Sequence, residues 1–292
     1  MASLKEIKSR IGSVKNTLKI TSTMKLVASA KLHKAQTAIE GMLPYNGKLT
    51  EILNKLLNDP QRITSPYMNE RPVRRVAIVA MSSDTSLCGA FNNNVIKLTG
   101  QVIQEYLAMS GNIGIALFPI GRKMSQAFVT NESIVLQQDY ADIGDTPQHS
   151  QAAALSAKLC EMFIKGEIDK VELVYTHYKN MAVQVLMRKT FLPIEIHQTE
   201  QDLTAKETTS DYIIEPSLTE LADELIPQAL AMQIYAALLD SNAAEHAART
   251  FAMQQATDNA ETLLHELNLS YNKGRQQAIT NELLDIIGGT MK

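Results

Sequence analysis

Residues Ser217–Gly289 read SLTELADELIPQALAMQIYAALLDSNAAEHAARTFAMQQATDNAETLLHELNLSYNKGRQQAITNELLDIIGG, and this stretch decides the fold. It holds one proline, Pro227, and one glycine, Gly274, before the Gly288-Gly289 stop. As a single helix of roughly 70 residues it would run about 105 Å at 1.5 Å per residue, wider than an ordinary globular domain. A helical pattern that long without internal caps is a coiled coil, a membrane span or a helical repeat. Leu218, Leu221, Leu225, Met232, Tyr235 and Leu239 fall on the three-four spacing of a coiled-coil seam. Continued, that spacing reaches Asn242, His246 and Arg249, so the seam is interrupted. No window long enough to cross a bilayer is free of charge, which excludes the membrane span.

A helix of this kind needs a partner, and the N-terminus supplies one. Ser3 followed by Glu6 is a capping box that opens a helix. Leu4, Ile7, Ile11, Val14, Leu18 and Thr21 alternate by three and four. Beyond Met24 the pattern turns small, with Ala28, Ala30, Ala35 and Ala38. Pro44 interrupts it, and apolar periodicity resumes from Leu49 to Leu57, so a kink or short break is expected there before the helix ends near Asn58. Charge supports the pairing. Residues 1–57 carry ten Lys or Arg against three Glu, whereas residues 218–292 carry ten acids against four Lys or Arg. The N-terminal excess also suits an acidic partner.

The chain is 292 residues long, 45% hydrophobic and 20% charged, with net charge −3, so there is no global electrostatic case for nucleic acid. Two distant cysteines, Cys88 and Cys160, have no metal-like spacing and suggest a reducing compartment. The basic N-terminus has no apolar signal core, and no targeting peptide is expected.

Between the helices the pattern changes. Pro60, Pro66 and Pro72 mark a linker over residues 59–72. The run VAIVAM, Val76–Met81, reads as a buried strand. A helix through Val95–Leu107, a strand Ile113–Ile120, a short helix Gly121–Val129 and a strand near Ile134–Gln138 follow. Then come a helix Gln151–Ile164 and strands Lys170–Tyr178 and Ala182–Arg188, turning at Lys179-Asn180. This alternation predicts a mainly parallel α/β sheet with an antiparallel hairpin at one edge. Residues 198–211 read as a polar loop. The predicted fold class is α/β: a long antiparallel coiled coil of the N- and C-terminal helices plus a Rossmann-like α/β domain. Its predicted parts are residues 1–58, 73–198 and 212–292. If the helices start level, the C-terminal one overshoots by very roughly 25 Å at 1.5 Å per residue. Its end is apolar on several faces (Ile279, Leu283, Leu284, Ile286, Ile287), and nothing else in the chain is free to cover it. A partner enclosing the tip is expected.

Chemistry is hard to find. The Walker spacing and G-x-G-x-x-G are absent, although Gly121-Arg122-Lys123 follows a strand. The loop after the first strand (SSDTSLCGAFNNN) sits where such sheets bind ligands. Ser82, Ser83, Asp84 and Cys88 there form either a polar site or a turn ordering the connection, and the turn is favoured because no phosphate-cradling glycines accompany them. Cys88 as a nucleophile would need a base, and His149, His177 and His197 are scattered. His33, His246 and His265 lack metal-ligand spacing. No catalytic residue, metal or cofactor is expected.

The segments ITSTMKLVASAKLHKAQ (20–36), SSDTSLCGAFNNNV, AEHAARTFAMQQATDNA and LNLSYNKGRQQAITNELLDIIGG resemble, in order and over nearly the whole chain, the gamma subunit family of the F-type ATP synthase. The resemblance implies a central rotor stalk that couples ion-driven rotation of a membrane ring to ATP synthesis or hydrolysis, with no catalytic site of its own. The implied partners are the alpha and beta subunits of the hexamer, the epsilon subunit and the ring of c subunits. Met24 and Lys25 match the Met-Lys segment that faces a catalytic subunit. Arg275 and Gln276 match an Arg-Gln pair bonding a catalytic-subunit loop, and Arg249 an arginine of energy coupling. Thr280 and Glu282 match the C-terminal signature, and Tyr212 and Glu215 the foot beside epsilon and the ring. Thr85-Ser86 replace a common Arg-Gly, Gln254-Gln255 a common Lys-Ala, and Thr290 an alanine. The implied place is the cytoplasmic face of a bacterial inner membrane, as a peripheral subunit.

Two other classes compete with this reading. A small α/β enzyme with helical oligomerisation arms would act alone. A static coiled-coil adaptor would have an unbroken apolar seam, unlike the one interrupted at Asn242, His246 and Arg249.

Overall fold

The computed structural model describes residues 3–57, 65–109, 113–137, 140, 143–194 and 218–290. The elements are α1 (Leu4–Leu57), a 3-10 turn (Pro66–Met68), β1 (Arg75–Met81), α2 (Phe91–Ala108), β2 (Gly114–Ile120), α3 (Arg122–Phe128), β3 (Ile134–Leu136), α4 (His149–Ile164), β4 (Lys170–Tyr178), β5 (Gln184–Leu192) and α5 (Leu218–Thr290). The chain divides into two compact units, one of residues 1–30 with 249–292, the other of residues 31–248.

In the 31–248 unit the strands lie in the order β3-β2-β1-β4-β5. The first four are mutually parallel and β5 is antiparallel, as the sequence predicts. β1 is buried on both faces because it is apolar at every position from Val76 to Met81. Ala77, Val79 and Met81 face one core with Phe118, Leu155, Phe163 and Leu173, while Val76, Ile78 and Ala80 face another with Val95, Ile103 and Leu117. The first core is closed by Ala222, Ile226, Leu230, Ile234 and Leu238 of α5, so the beginning of that helix is part of the domain. The β4–β5 turn is set by Asn180, whose Oδ1 accepts from the N–H groups of Ala182 and Val183.

The edge hairpin also carries a buried charge. Glu172 on β4 is 2% exposed. It accepts from Tyr106 Oη at 2.6 Å and Arg188 Nε at 2.7 Å, and Lys170 Nζ lies 3.0 Å away. Burial alone would raise its pKa, but these three donors outweigh burial and hold the carboxyl below its ordinary range. Tyr106 responds in the other direction: burial, then its bond to Glu172, raises the phenol.

The expected break at Pro44 does not occur, because α1 runs unbroken from Leu4 to Leu57 with Pro44 inside it.

Candidate functional site

In the unit of residues 1–30 and 249–292 the two helices run antiparallel. A Cβ placed on Gly274 would lie 3.2 Å from Leu4 Cδ2. Thr257 Oγ1 donates to Thr21 Oγ1 at 3.0 Å. Seventeen residues separate these two contacts on each helix, so the register holds over more than four turns. Lys25 Nζ donates to Gln254 Oε1 at 2.9 Å, and Gln254 Nε2 donates to Asp258 Oδ1 at 2.7 Å. A lysine at 254 would set a like charge against Lys25; Gln254 accepts from it instead.

The seam is two-stranded and therefore thin. Leu4, Ile7, Ile11, Val14 and Leu18 are only half-buried, while Thr21 and Ala28 are buried. From Met253 onward on α5 the buried positions are Met253, Thr257 and Ala260, and past Ala260 the half-buried ones are Leu264, Leu267, Tyr271, Gly274 and Ala278; together these alternate by four and three. The spacing that reaches Arg249 from Leu218 continues through Met253 and Ala260 but would set Ala256 and Leu263 between and after them; instead the phase slips by one residue, Thr257 is buried where Ala256 is half-buried, and Leu263 is exposed beside half-buried Leu264.

Because Leu4 meets Gly274, the sixteen residues Arg275–Thr290 lie beyond the end of α1. That is roughly 24 Å of helix at 1.5 Å per residue, matching the expected overshoot. Ile279, Leu283, Leu284, Ile286 and Ile287 are all exposed there. Leu264 to Tyr271 still alternate half-buried with exposed positions, but every residue from Ile279 to Ile287 is exposed. More apolar side chains project from the paired region: Ile20, Leu26 and Val27 on α1, and Phe251 and Leu269 on α5. None of these five is among the residues that the sequence singles out. They lie off the three-four seam, and that offset was the available signal.

The structure places the predicted site residues as follows. Met24 and Lys25 are half-buried beside the seam, and Arg249 is buried at 9% exposure. Arg275, Gln276, Thr280 and Glu282 are exposed on the overshooting segment, with Thr280 Oγ1 donating to the Gln276 carbonyl at 2.9 Å. These four are brought together on two turns of helix, a group distinct from Met24, Lys25 and Arg249. Tyr212 and Glu215 lie outside the described residues.

The loop after β1 uses its polar groups on itself. Ser82 Oγ accepts from the Met124 N–H at 2.9 Å, and Asp84 Oδ1 from the Arg122 N–H at 2.9 Å, so both cap α3. Ser83 N–H donates to Asn92 Oδ1 at 3.0 Å. Cys88 is 1% exposed beside Asn92 Nδ2 (3.2 Å) and Ser83 Oγ (3.7 Å), neither of which is a base. The cavity where this loop meets α5, lined by Ser82, Asn242 and Glu245, is about 10 Å³, room for roughly one water. A larger groove of about 610 Å³ lies elsewhere, lined mainly by apolar groups of Tyr45, Tyr67, Ala153, Pro227 and Met232. Cys160 opens onto it with a thiol pushed up to about 11 by burial, a poor nucleophile. Among the described residues no group of three or more His, Cys, Asp or Glu could hold a metal ion, and no helix is long and apolar enough to cross a membrane.

Comparison with known proteins gives the same reading. The family model described as ATP synthase matches residues 3–291. The ATP synthase gamma chain of Bacteroides thetaiotaomicron is 53% identical over 300 residues, covering 100% of both chains. That of Flavobacterium johnsoniae is 42% identical over 290 residues, covering 99% of this chain and 98% of the relative. Among solved structures, a chain of the Euglena gracilis mitochondrial ATP synthase OSCP/F1/c-ring superposes with TM-score 0.62 at 19% identity, covering 99% of this chain and 93% of that one. A chain of the Tetrahymena thermophila mitochondrial ATP synthase central stalk/c-ring gives 0.56 at 23% identity, covering 81% and 99%. At these identities the structural likeness speaks to the fold, and the sequence relatives speak to the family. The chain belongs to the ATP synthase gamma-chain family.

Proposed function

We propose how this gamma chain, the central rotor stalk of an ATP synthase, couples rotation to catalysis. The paired helices, within residues 1–58 and 212–292, act as an axle in a hexamer of alpha and beta subunits. The body, within residues 73–198, stands with epsilon on the ring of c subunits, and Tyr212 and Glu215 serve the foot. The chain supplies no catalytic group. It is one asymmetric object presented to three equivalent catalytic sites, so at any angle its contacts with each differ. A difference in contact free energy is what shifts conformational populations, and turning the axle moves that bias from site to site. Its place is peripheral, on the cytoplasmic face of a bacterial inner membrane.

The observation that carries this is the apolar segment beyond Leu4. An exposed apolar surface of this extent marks an interaction site, and a helix tip exposed all round fits a sleeve better than a flat partner. Within it Arg275 and Gln276 offer donors to a catalytic-subunit loop, and Thr280 and Glu282 line the same two turns. Lys25, with Met24 beside it, faces acidic groups lower down, and Arg249 holds the buried polar stretch of α5.

The test is reconstitution from purified catalytic and non-catalytic subunits with and without this chain, and with an Arg275→Ala/Gln276→Ala variant. Full-length chain should be inert alone, enter as one copy per three of each partner, and yield a stable active complex. The variant should fold normally yet, in the whole membrane-bound complex, lower coupled synthesis several-fold. Turnover by the chain alone, or failure to join the hexamer, would refute the stalk reading. Unchanged synthesis in the variant would refute the role of the pair.

A further inference from the structure

The 31–248 unit ties its sheet to both long helices in two places, and each place uses one short segment to reach both helices. At the end of β4, the Tyr178 N–H donates to Asp240 Oδ1 of α5 at 2.8 Å, while the Tyr178 hydroxyl accepts from Gln36 Nε2 of α1 at 3.1 Å. His177 Nδ1 lies 2.6 Å from Asp240 Oδ2, so one carboxylate grips two successive residues of the strand. In the segment before α4, the Gly144 carbonyl accepts from Asn242 Nδ2 of α5 at 2.9 Å, and Asp145 Oδ1 meets Lys31 Nζ of α1 at 2.8 Å. Asp240 and Asn242 are two residues apart on α5, and Lys31 and Gln36 five apart on α1.

The packing around these bonds has the same form. Tyr178 touches the cluster of Leu32, Ala35, Ala243 and Ala247, and also the cluster of Cys88, Phe91, Ala244 and Ala248. Four alanines on α5 make room for one tyrosine, which therefore reaches both helices and the loop after β1. The two helices differ in what else holds them. Residues 222–238 of α5 are built into the main core through six buried side chains. Among the described residues α1 adds Ile52 and Leu53 to that core, both half-buried. At residues 31–39 it packs Leu32 and Ala35 against Ala243 and Ala247 of α5 and meets the sheet through the Tyr178 and Asp145 contacts.

We propose that these two double contacts form a collar that makes the sheet and the adjoining segments of α1 and α5 move as one body, so that torque on the body passes to both helices at the level of Asp240 and Asn242. This rests on the rotor reading and adds the residues that carry the transfer. Asp240 and Asn242 are positioning residues. Without them α1 would yield before α5, since a small alanine-lined cluster and side-chain bonds, not the main core, hold it at residues 31–39, and local opening follows such differences.

The experiment uses the assembled complex carrying Asp240→Ala/Asn242→Ala. The expected result is assembly with ATP hydrolysis within about twofold of wild type, ATP-driven ion pumping reduced at least fivefold, and backbone amide exchange over residues 32–39 at least tenfold faster, with β1 unchanged. Loss of hydrolysis and pumping in equal proportion, or exchange unchanged over 32–39, would overturn the collar. A second variant guards against a fold defect. Lys31→Cys/Asp145→Cys, at two half-exposed positions, is bridged with a short bis-maleimide while the native thiols Cys88 and Cys160 stay buried. If the collar is rigid in operation, bridging leaves pumping within about one fifth of the unbridged value. A drop of more than half would show that the body and α1 move against each other, and the collar would be abandoned. Absence of the wild-type chain from the complex would instead sink the rotor reading.

Discussion

β1 in the 31–248 unit is at most 1% exposed from Val76 to Met81, whereas Leu283, Leu284 and Ile286 on α5 are each more than half exposed. Both segments are strongly apolar, so composition alone does not separate them. The difference is in what the rest of the chain offers. β1 lies between two parallel neighbours with a helix layer on each face. Residues 279–287 follow the point where α1 has ended. One segment specifies the protein's own fold, and the other has a sequence suited to its surroundings in an assembly. A destabilising change should therefore read out as unfolding in the first region and as lost assembly or coupling in the second.

The largest expected effect tests that contrast directly. Phe118→Ala empties a fully buried position in the main core and should cost about 3–5 kcal/mol of unfolding free energy. Leu283→Ala/Leu284→Ala should stay within about 0.5 kcal/mol per site in the isolated chain, because exposed substitutions rarely exceed that, yet reduce assembly yield severalfold. Urea denaturation of the isolated chain beside reconstitution with the hexamer subunits checks both. If the leucine pair destabilises the isolated chain as much as Phe118→Ala, the tip is covered by its own chain and the contrast fails.

The edge hairpin supplies the next effect. Arg188→Ala removes a principal donor to Glu172 while leaving the carboxylate buried, and should cost about 3 kcal/mol, at the low end for a broken buried pair because Tyr106 and Lys170 remain. The sign with pH follows from the depressed pKa of Glu172. A lowered folded-state value means stability is fully present above the unfolded-state value, near 4.5, and is lost as pH falls through the folded-state value below it. Wild type should lose this contribution on acidification below about pH 4.5, and Glu172→Gln should flatten that part of the curve. Equal acid sensitivity of the two would show that Glu172 is not the group responsible.

How much of this was legible in the sequence depends on the kind of signal. β1 was readable because six apolar residues in a row leave little alternative to a strand buried on both faces. The long helices were readable from the rarity of glycine and proline over some fifty to seventy residues. The heptad slip past Arg249 was not, since Thr257, Ala260 and Gly274 occupy seam positions without being strongly hydrophobic. Pro44 signalled a kink or a short break, and of these the break does not occur, since the helix runs through it. The site residues came from resemblance. Periodicity alone pointed to a tip needing cover, and it gave no reason to single out Arg275 over Lys273. The hydrogen bonds of Tyr178 and Asp240 join residues 62 positions apart, beyond the reach of any local pattern.

A smaller effect probes charge in the helical pair. Lys25→Glu replaces the donor to Gln254 with an acid and sets it near Asp258, which Gln254 also bonds. The isolated fold should change little, and coupling in the complex should fall a few-fold, equally at low and high salt if packing in the seam alone is disturbed. A contact with an acidic partner would instead show a wild-type advantage that shrinks as salt rises from 0.05 to about 0.5 M, since exposed charges are screened over roughly 10 Å at 0.1 M. A salt-independent defect would assign Lys25 to packing in the seam and remove it from the partner surface.

The smallest effect is at Gly274, where the two regions of α5, paired and overshooting, meet. Its φ is that of an ordinary helical residue, so no backbone conformation there demands glycine. Alanine in a helix interior is favoured over glycine by about 1 kcal/mol. Against this, the new Cβ would stand 3.2 Å from Leu4 Cδ2, tight but against the far end of a flexible side chain on the first turn of α1. That turn has few neighbours to stop it from moving, so the helical gain should prevail and Gly274→Ala should stabilise the isolated chain by up to about 1 kcal/mol, read as a small rise in the urea midpoint. Larger residues reverse the balance, because they would have to displace Leu4 altogether. If alanine already destabilises, the end of α1 is held more firmly than its half-buried seam suggests, and the boundary between paired helix and free tip is sharper than a fraying end would make it.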